Sequence, residues 1–277
     1  MRLALLSDIH GNRLALDAVL ADVSARGGAD GYLVLGDLAA IGSDPVSVLE
    51  CLAALPGGQH VQGNTDRYLV TGERPYPRLE DAQADPRLLP RLVEVATSFA
   101  WTQGSLTAGG WLDWLAALPR DLSMQLPDGS CLLATHVAPG QDDGPGIHPA
   151  VPDDELVSLL DGFQADLVCV GHTHWPLDRR VGERRVVNVG SVSNPWAPDP
   201  RASYVLLDAD EHGHQVTFCR VAYDRGAAIE AVRRSRHPAG AFIVDWLQGR
   251  RQPWWTSRAG RVWVGPSVSG RLGSGKE

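Results

Sequence analysis

Short apolar runs that stop abruptly at glycine or a polar residue alternate along this chain with stretches whose apolar positions recur at helical spacing. The first run, 2–7, is followed by Leu14, Leu16, Val19, Leu20 and Val23, which give a helix over 13–26 an apolar face that ends at Gly27-Gly28. Runs at 31–36 and 59–62 flank a second helical stretch at 45–55, so the first unit reads strand-helix-strand-helix-strand, the order a parallel sheet requires. The character changes at 72–90, where Pro75, Pro77, Pro86 and Pro90 lie among mixed charges and predict a surface excursion. Helices are expected near 87–100 and 106–118. In the second half, strands at 122–126 and 130–135 flank the turn signal Pro127-Asp128-Gly129. A loop rich in Gly, Pro and Asp at 137–152 leads to a helix at 153–163, then to strands at 166–170, 184–189, 203–207 and 215–221. Helices at 225–235 and 241–248 are expected to pack outside the sheets. The last residues, with Trp254-Trp255 and a strand candidate at 261–264, carry no interpretable motif.

Seven polar side chains stand where predicted strands run out: Asp8, His10, Asp37, Asn64, His136, His172 and His174. Strand ends along one sheet edge are neighbours in space, so these groups can meet in one pocket. Residues i and i+2 of extended chain point the same way, which pairs Asp8 with His10 and His172 with His174. Carboxylate, imidazole and amide oxygen together, without thiolate, suit Mn, Fe, Co, Ni or Zn. Asp37 has two carboxylate oxygens and can serve two ions at once. Plainer readings exist for single members: Asp8 or Asp37 could cap the following helix, and the two histidines could be loop residues. All seven being structural is the weaker reading. His60, His148, His212, His214 and His237 match no motif and are taken as ordinary residues, the pair in 208–214 lying in a hairpin turn.

The ordered set Asp8-Ile9-His10, Gly36-Asp37, Gly63-Asn64-Thr65-Asp66, His136 and Gly171-His172-Thr173-His174 resembles the calcineurin-like metallophosphoesterase superfamily, over residues 1 to about 222. Gly42-Ser43-Asp44-Pro45, the segment 188–195 and the segment 199–204 are similar to its small prokaryotic phosphodiesterase branch. The resemblance implies an α/β fold, a four-layer α/β/β/α sandwich of two mixed sheets flanked by helices, here with a helical insertion at about 67–120 beside the site. It implies one domain over 1–250 followed by a tail, 251–277. It also implies two divalent cations, manganese first, one held by Asp8, His10, Asp37 and His174 and the other by Asp37, Asn64, His136 and His172. Many members have histidine directly after the motif asparagine; this chain has Thr65, whose hydroxyl is a poor proton donor at neutral pH.

Two divalent cations, Asp8, Asp37 and a shared hydroxide sum to a net charge of about +1, which attracts a phosphodiester monoanion, and the hydroxide can attack phosphorus in line. The expected activity is phosphodiester hydrolysis. The alternatives are a phosphomonoesterase acting on phosphoproteins or nucleotides, and a binding scaffold like that of the eukaryotic retromer, which filled ligand positions disfavour. The expected partner is a small phosphate ester, with nucleic acid only as a substrate. Asn12 and Arg67 are candidates for phosphate contact by position. Trp101, Trp111 and Trp114 either pack the insertion onto the core or offer a stacking surface.

At 277 residues and 44% hydrophobic content the chain can bury a two-layer core. No apolar run approaches the ~18 residues of a membrane span. The first strand supplies Asp8, so cleaving it as a signal peptide would remove a ligand, which points to the cytoplasm. Cys51, Cys131, Cys169 and Cys219 are far apart and are expected as free thiols. The formal charge is −8, yet residues 223–277 carry ten Arg or Lys against four Asp or Glu, leaving −14 elsewhere. A solvated basic tail accounts for that asymmetry without a nucleic-acid partner.

Overall fold

The structure, a computed structural model, describes residues 1–196, 198–251 and 253. In chain order the elements begin β1 (Arg2–Leu6), α1 (Arg13–Ala25), β2 (Gly31–Leu35), α2 (Pro45–Ala53), β3 (Gly58–Val61) and α3 (Asn64–Thr71). The insertion contains α4 (Leu79–Ala84), a 3₁₀ turn (Pro86–Leu88), α5 (Leu89–Gly109) and α6 (Leu112–Ala116). There follow β4 (Asp121–Gln125), β5 (Cys131–Thr135), α7 (Asp153–Leu160), β6 (Leu167–Val170), β7 (Leu177–Val181) and β8 (Arg184–Asn188). The described chain closes with β9 (Ala202–Asp210), β10 (Gly213–Val221), α8 (Arg225–Ser235) and α9 (Gly240–Leu247).

Two five-stranded sheets face each other, in the orders β10-β9-β1-β2-β3 and β4-β5-β6-β8-β7. Both are mixed: β1-β2-β3 and β5-β6-β8 are parallel, while β9, β10, β4 and β7 join antiparallel. The period of two decides which side chain enters which layer. Leu3, Leu5, Leu33 and Leu35 meet Leu132, Ala134, Leu167 and Val187 between the sheets. Ala4, Leu6 and Val34 face α1 and α2 through Leu16, Val19, Val48 and Leu52. On the far sheet, Leu133, Val168 and Val186 receive Leu156 and Leu160 of α7. Because β1, β2 and β6 are covered on both faces, their sequences are continuous apolar runs without alternation.

Three local expectations change. The predicted break between 100 and 106 is absent: α5 runs 21 residues through Gly104 and ends at Gly110, whose φ of 75° suits glycine. A helix starts at Asn64 where only a loop was expected. The strand β7 escaped notice because Asp178, Arg179 and Arg180 dilute its apolar signal, as charged residues do at a sheet edge. The hairpin turn expected over 208–214 is confined to 211–212, and His214, in β10, pairs with Asp128 at 2.9 Å. All four cysteines are free. Trp111 and Trp114 pack edge to face, 5.6 Å apart, against the core beneath the insertion, and Trp101 lies on His237, so all three favour the packing reading. No helix of the described residues is long and apolar enough to cross a membrane. The candidates Trp254-Trp255 and 261–264, and nearly all of the expected tail, lie outside the described residues.

Candidate metal centre

All seven candidate residues converge at one edge of the sandwich, each one to four residues past its strand: Asp8 and His10 after β1, Asp37 after β2, Asn64 after β3, His136 after β5, and His172 and His174 after β6. Five adopt left-handed backbone, with φ of 56° at Asp8, 48° at His10, 56° at Asp37, 67° at His172 and 57° at His174. Such conformations cost a non-glycine residue of order 1 kcal/mol or more and persist only where surroundings enforce them. Here the loops enforce one another. Asp8 N–H donates to Gly36 O at 3.1 Å, His10 N–H to Asp37 O at 3.0 Å, and Gly171 N–H to His136 O at 2.9 Å. The N–H of His172 donates to Asp8 Oδ2 at 3.0 Å.

The side chains form two groups that share Asp37. In the first, Nε2 of His174 lies 3.1 Å from Asp8 Oδ1 and 3.3 Å from Nε2 of His10, which is 3.7 Å from Asp37 Oδ2. In the second, Nε2 of His136 lies 3.4 Å from Asp37 Oδ1 and 3.1 Å from Asn64 Oδ1, which is also 3.1 Å from Nδ1 of His172. Every member except His172 is buried. The outward imidazole nitrogens all meet backbone carbonyls: His10 Nδ1 on Ala40 at 3.1 Å, His136 Nδ1 on Leu35 at 2.6 Å, His172 Nε2 on Gly144 at 2.8 Å and His174 Nδ1 on Asn194 at 2.8 Å. A carbonyl accepts only from N–H, so the neutral tautomer of each ring turns a lone pair inward. Lone pairs of His10 and His174 then face each other at 3.3 Å, and Asp8 Oδ1, fully buried, has no hydrogen-bond donor. Two ligands about 2.1 Å from one cation at octahedral or tetrahedral angles stand about 3.0–3.4 Å apart, which five of the six separations above match, the 3.7 Å of His10 from Asp37 being longer.

The family model for the calcineurin-like phosphoesterase superfamily domain matches residues 1–212. The chain belongs to the calcineurin-like phosphoesterase superfamily. An uncharacterized protein of Methanocaldococcus jannaschii is 26% identical over 90% of this chain and 96% of its own length. Phosphodiesterase YfcE of Escherichia coli K12 is 29% identical over 76% of this chain and 89% of its own. The crystal structure of a metallophosphoesterase from Sphaerobacter thermophilus superposes with a TM-score of 0.71 at 25% identity, covering 90% of this chain and 98% of that one. A hypothetical protein from Pyrococcus horikoshii shares the fold, with a TM-score of 0.74 at 21% identity over 89% and 97% of the two chains.

Burial and neighbouring charges oppose one another across this cluster. Burial pushes the His136 imidazole down, but the charge and hydrogen bond of Asp37 outweigh it and carry the group up to about 10. His174 is raised for the same reason, with Asp8 outweighing burial. Burial takes His10 down to about 4. It also opposes ionisation of Asp8 and Asp37, yet the surrounding imidazoles hold both carboxyls below the usual range.

Three supporting residues carried no assigned role in the sequence reading. Asp66 is fully buried and accepts the N–H groups of Asp37 at 2.9 Å, Leu38 at 3.0 Å and Gly63 at 3.0 Å, tying the Asp37 loop to the Asn64 loop. Burial and the Asp37 charge push it up to about 7, while the N–H groups of Gly63 and Leu38 pull the other way. Its position three residues after Gly63, at the start of a helix, is a capping-box spacing that the sequence does display. Asp66→Asn is expected to cost roughly 1–3 kcal/mol, because one buried N–H then faces an amide N–H₂; a urea melt measures it. Asn188 donates to Gly171 O at 2.6 Å and Thr173 Oγ1 at 2.9 Å, bracing the His172–His174 loop. The helices α8 and α9 were expected on the outside of the sandwich, but Trp246 of α9 lies 5.4 Å from the His174 ring and 4.4 Å from that of Trp196.

Asn12 and Arg67, the candidates for phosphate contact, have other partners. Asn12 Oδ1 caps α1 by accepting from Ala15 N–H at 3.1 Å, and its Nδ2 donates to Ser193 Oγ and Tyr223 OH. Arg67 pairs with Asp142 at 3.0 Å, Asp143 at 3.4 Å and Glu73. An arginine neutralised by three carboxylates has little charge to offer phosphate.

Proposed function

We propose that this protein is a metal-dependent phosphodiesterase of the superfamily, with Asp8, His10, Asp37 and His174 holding one divalent cation and Asp37, Asn64, His136 and His172 a second. The observation that carries the reading is that one nitrogen of each of the four imidazoles lies 2.6–3.1 Å from a backbone carbonyl, which leaves the other nitrogen of each ring facing the cluster around Asp37. A bound pair of divalent cations supplies Lewis acidity toward phosphoryl oxygens and lowers the pKa of water. Manganese suits the donor set, as do Fe, Co, Ni and Zn.

The chain's own contribution is placement. Asp37 aims one oxygen at each group, and Thr65 N–H donates to its Oδ1 at 3.0 Å, fixing the carboxylate plane. The Thr65 hydroxyl, buried and without a hydrogen-bond partner, cannot act as a general acid at neutral pH. Substrates that need little protonation of the leaving group are therefore favoured, and the name of the phosphodiesterase YfcE agrees. Free thiols agree with a cytoplasmic setting.

Chelation is expected to abolish hydrolysis of bis(p-nitrophenyl) phosphate, and Mn²⁺ to restore it, with the diester cleaved faster than p-nitrophenyl phosphate. Chelator-resistant turnover of fully demetallated protein contradicts the proposal. Thr65→His is expected to raise the monoester-to-diester ratio of kcat/KM about tenfold or more, since a positioned general acid contributes roughly 10²–10⁴ where it is needed. An unchanged ratio removes the argument for diester preference. Because Asp37 carries His136 up to about 10, cation binding is expected to displace a proton there at neutral pH. Calorimetry of Mn²⁺ binding in buffers of different ionisation enthalpy should report that release.

A further inference from the structure

We infer that Tyr68 and Asp143 are positioning residues for the second cation group, and that the segment 142–144 is the element that builds it. The inference rests on the metal-centre reading above. Asn64 is the first residue of α3 and Tyr68 lies four residues on, so both side chains share one helix face. The Tyr68 hydroxyl, buried, donates to Asp143 Oδ2. A carboxylate only accepts, so the tyrosine proton is committed there and the hydroxyl holds Asp143 in place. Oδ1 of Asn64, one turn before Tyr68, faces His136 Nε2 and His172 Nδ1, each 3.1 Å away.

The next residue completes the arrangement. Gly144 N–H donates to Asp143 Oδ1 at 2.8 Å, and the Gly144 carbonyl accepts from His172 Nε2 at 2.8 Å, which keeps Nδ1 of that ring inward. Tyr68 thus holds Asp143, Asp143 holds the Gly144 N–H, and Gly144 orients His172. The loop is anchored by Arg67, which reaches Asp142 and Asp143 while its guanidinium lies 4.7 Å from the Tyr68 ring centre, and by Arg120, 3.0 Å from Asp142. This gives Arg67 a role distinct from phosphate contact. The first group has separate supports, His10 on Ala40 and His174 on Asn194. Disturbing 142–144 should therefore affect one cation and spare the other.

Tyr68→Phe and Asp143→Ala test this in the full-length protein, stripped of metal and titrated calorimetrically with Mn²⁺. The wild type is expected to bind two ions per chain. Each variant is expected to keep one ion at wild-type affinity and to bind the other about 10–100-fold more weakly, the loss typical when a ligand's supporting hydrogen bond is removed. Asp143 has a side chain 39% exposed, so its truncation does not threaten the core and guards against a folding failure of Tyr68→Phe. Unchanged affinity for both ions overturns the inference, and so does equal weakening of both, which is the mark of general loosening. A wild type that binds fewer than two ions overturns the metal-centre reading itself, and is recognised before either variant is compared.

Discussion

Asp37→Asn is expected to lower diester turnover at least about a hundredfold, or ~2.7 kcal/mol of transition-state stabilisation. Oδ2 of Asp37 faces the His10 group at 3.7 Å and Oδ1 faces the His136 group at 3.4 Å. An amide offers one acceptor oxygen and no charge, so one group loses its shared ligand and both lose the anion that balances a cation. Metal content should fall with activity; near wild-type kcat at full occupancy would count against the sharing role. The substitution has a second readout in metal-free protein. His136 is raised from its ordinary value near ~6.5 to about 10, so its pairing with Asp37 contributes stability that is fully present below pH ~6.5 and is lost as pH rises through about 10. Asp37→Asn should flatten that alkaline slope of stability against pH, measured by chemical denaturation.

Gly63→Ala is expected to be as damaging although it removes no functional group. A Cβ at Gly63 would stand 2.2 Å from Asp37 Oδ1 and 2.3 Å from Asp37 N. Neither atom can retreat: the backbone N–H is held by Asp66 and Oδ1 by Thr65 N–H. The cost is placed at or above ~3 kcal/mol, the upper end usual for overpacking, with loss of turnover because Asp37 is the atom group displaced. A denaturation midpoint together with kcat measures both. Wild-type stability would mean that the loop after β3 is free to move.

Much of this was readable along the chain. Continuous apolar runs ending in Asp37 or in Gly171-His172 could only be strands buried on both faces, and the polar residues that ended them had to lie at an edge. The i, i+2 spacing of Asp8 with His10 and of His172 with His174 already paired the donors. Other features left weaker marks. The strand β7 hid because an edge strand tolerates the charges of Asp178, Arg179 and Arg180. The break expected within α5 did not occur because Gly104 lies in open space and costs the helix only about 1 kcal/mol. Arg67 beside the Asn64 loop invited a phosphate role, whereas two of the three carboxylates that occupy it come from 75 and 76 residues further along.

Local sequence determined the elements, the strand-end position of every candidate ligand and the kinds of donor atom, because periodicity and residue chemistry are properties of short segments. Tertiary structure alone decided which nitrogen of each imidazole faces inward, since that depends on carbonyls of Leu35, Ala40, Gly144 and Asn194 contributed by other loops. It also decided that five candidate ligands take left-handed backbone, a conformation no propensity favours and which hydrogen bonds between loops hold.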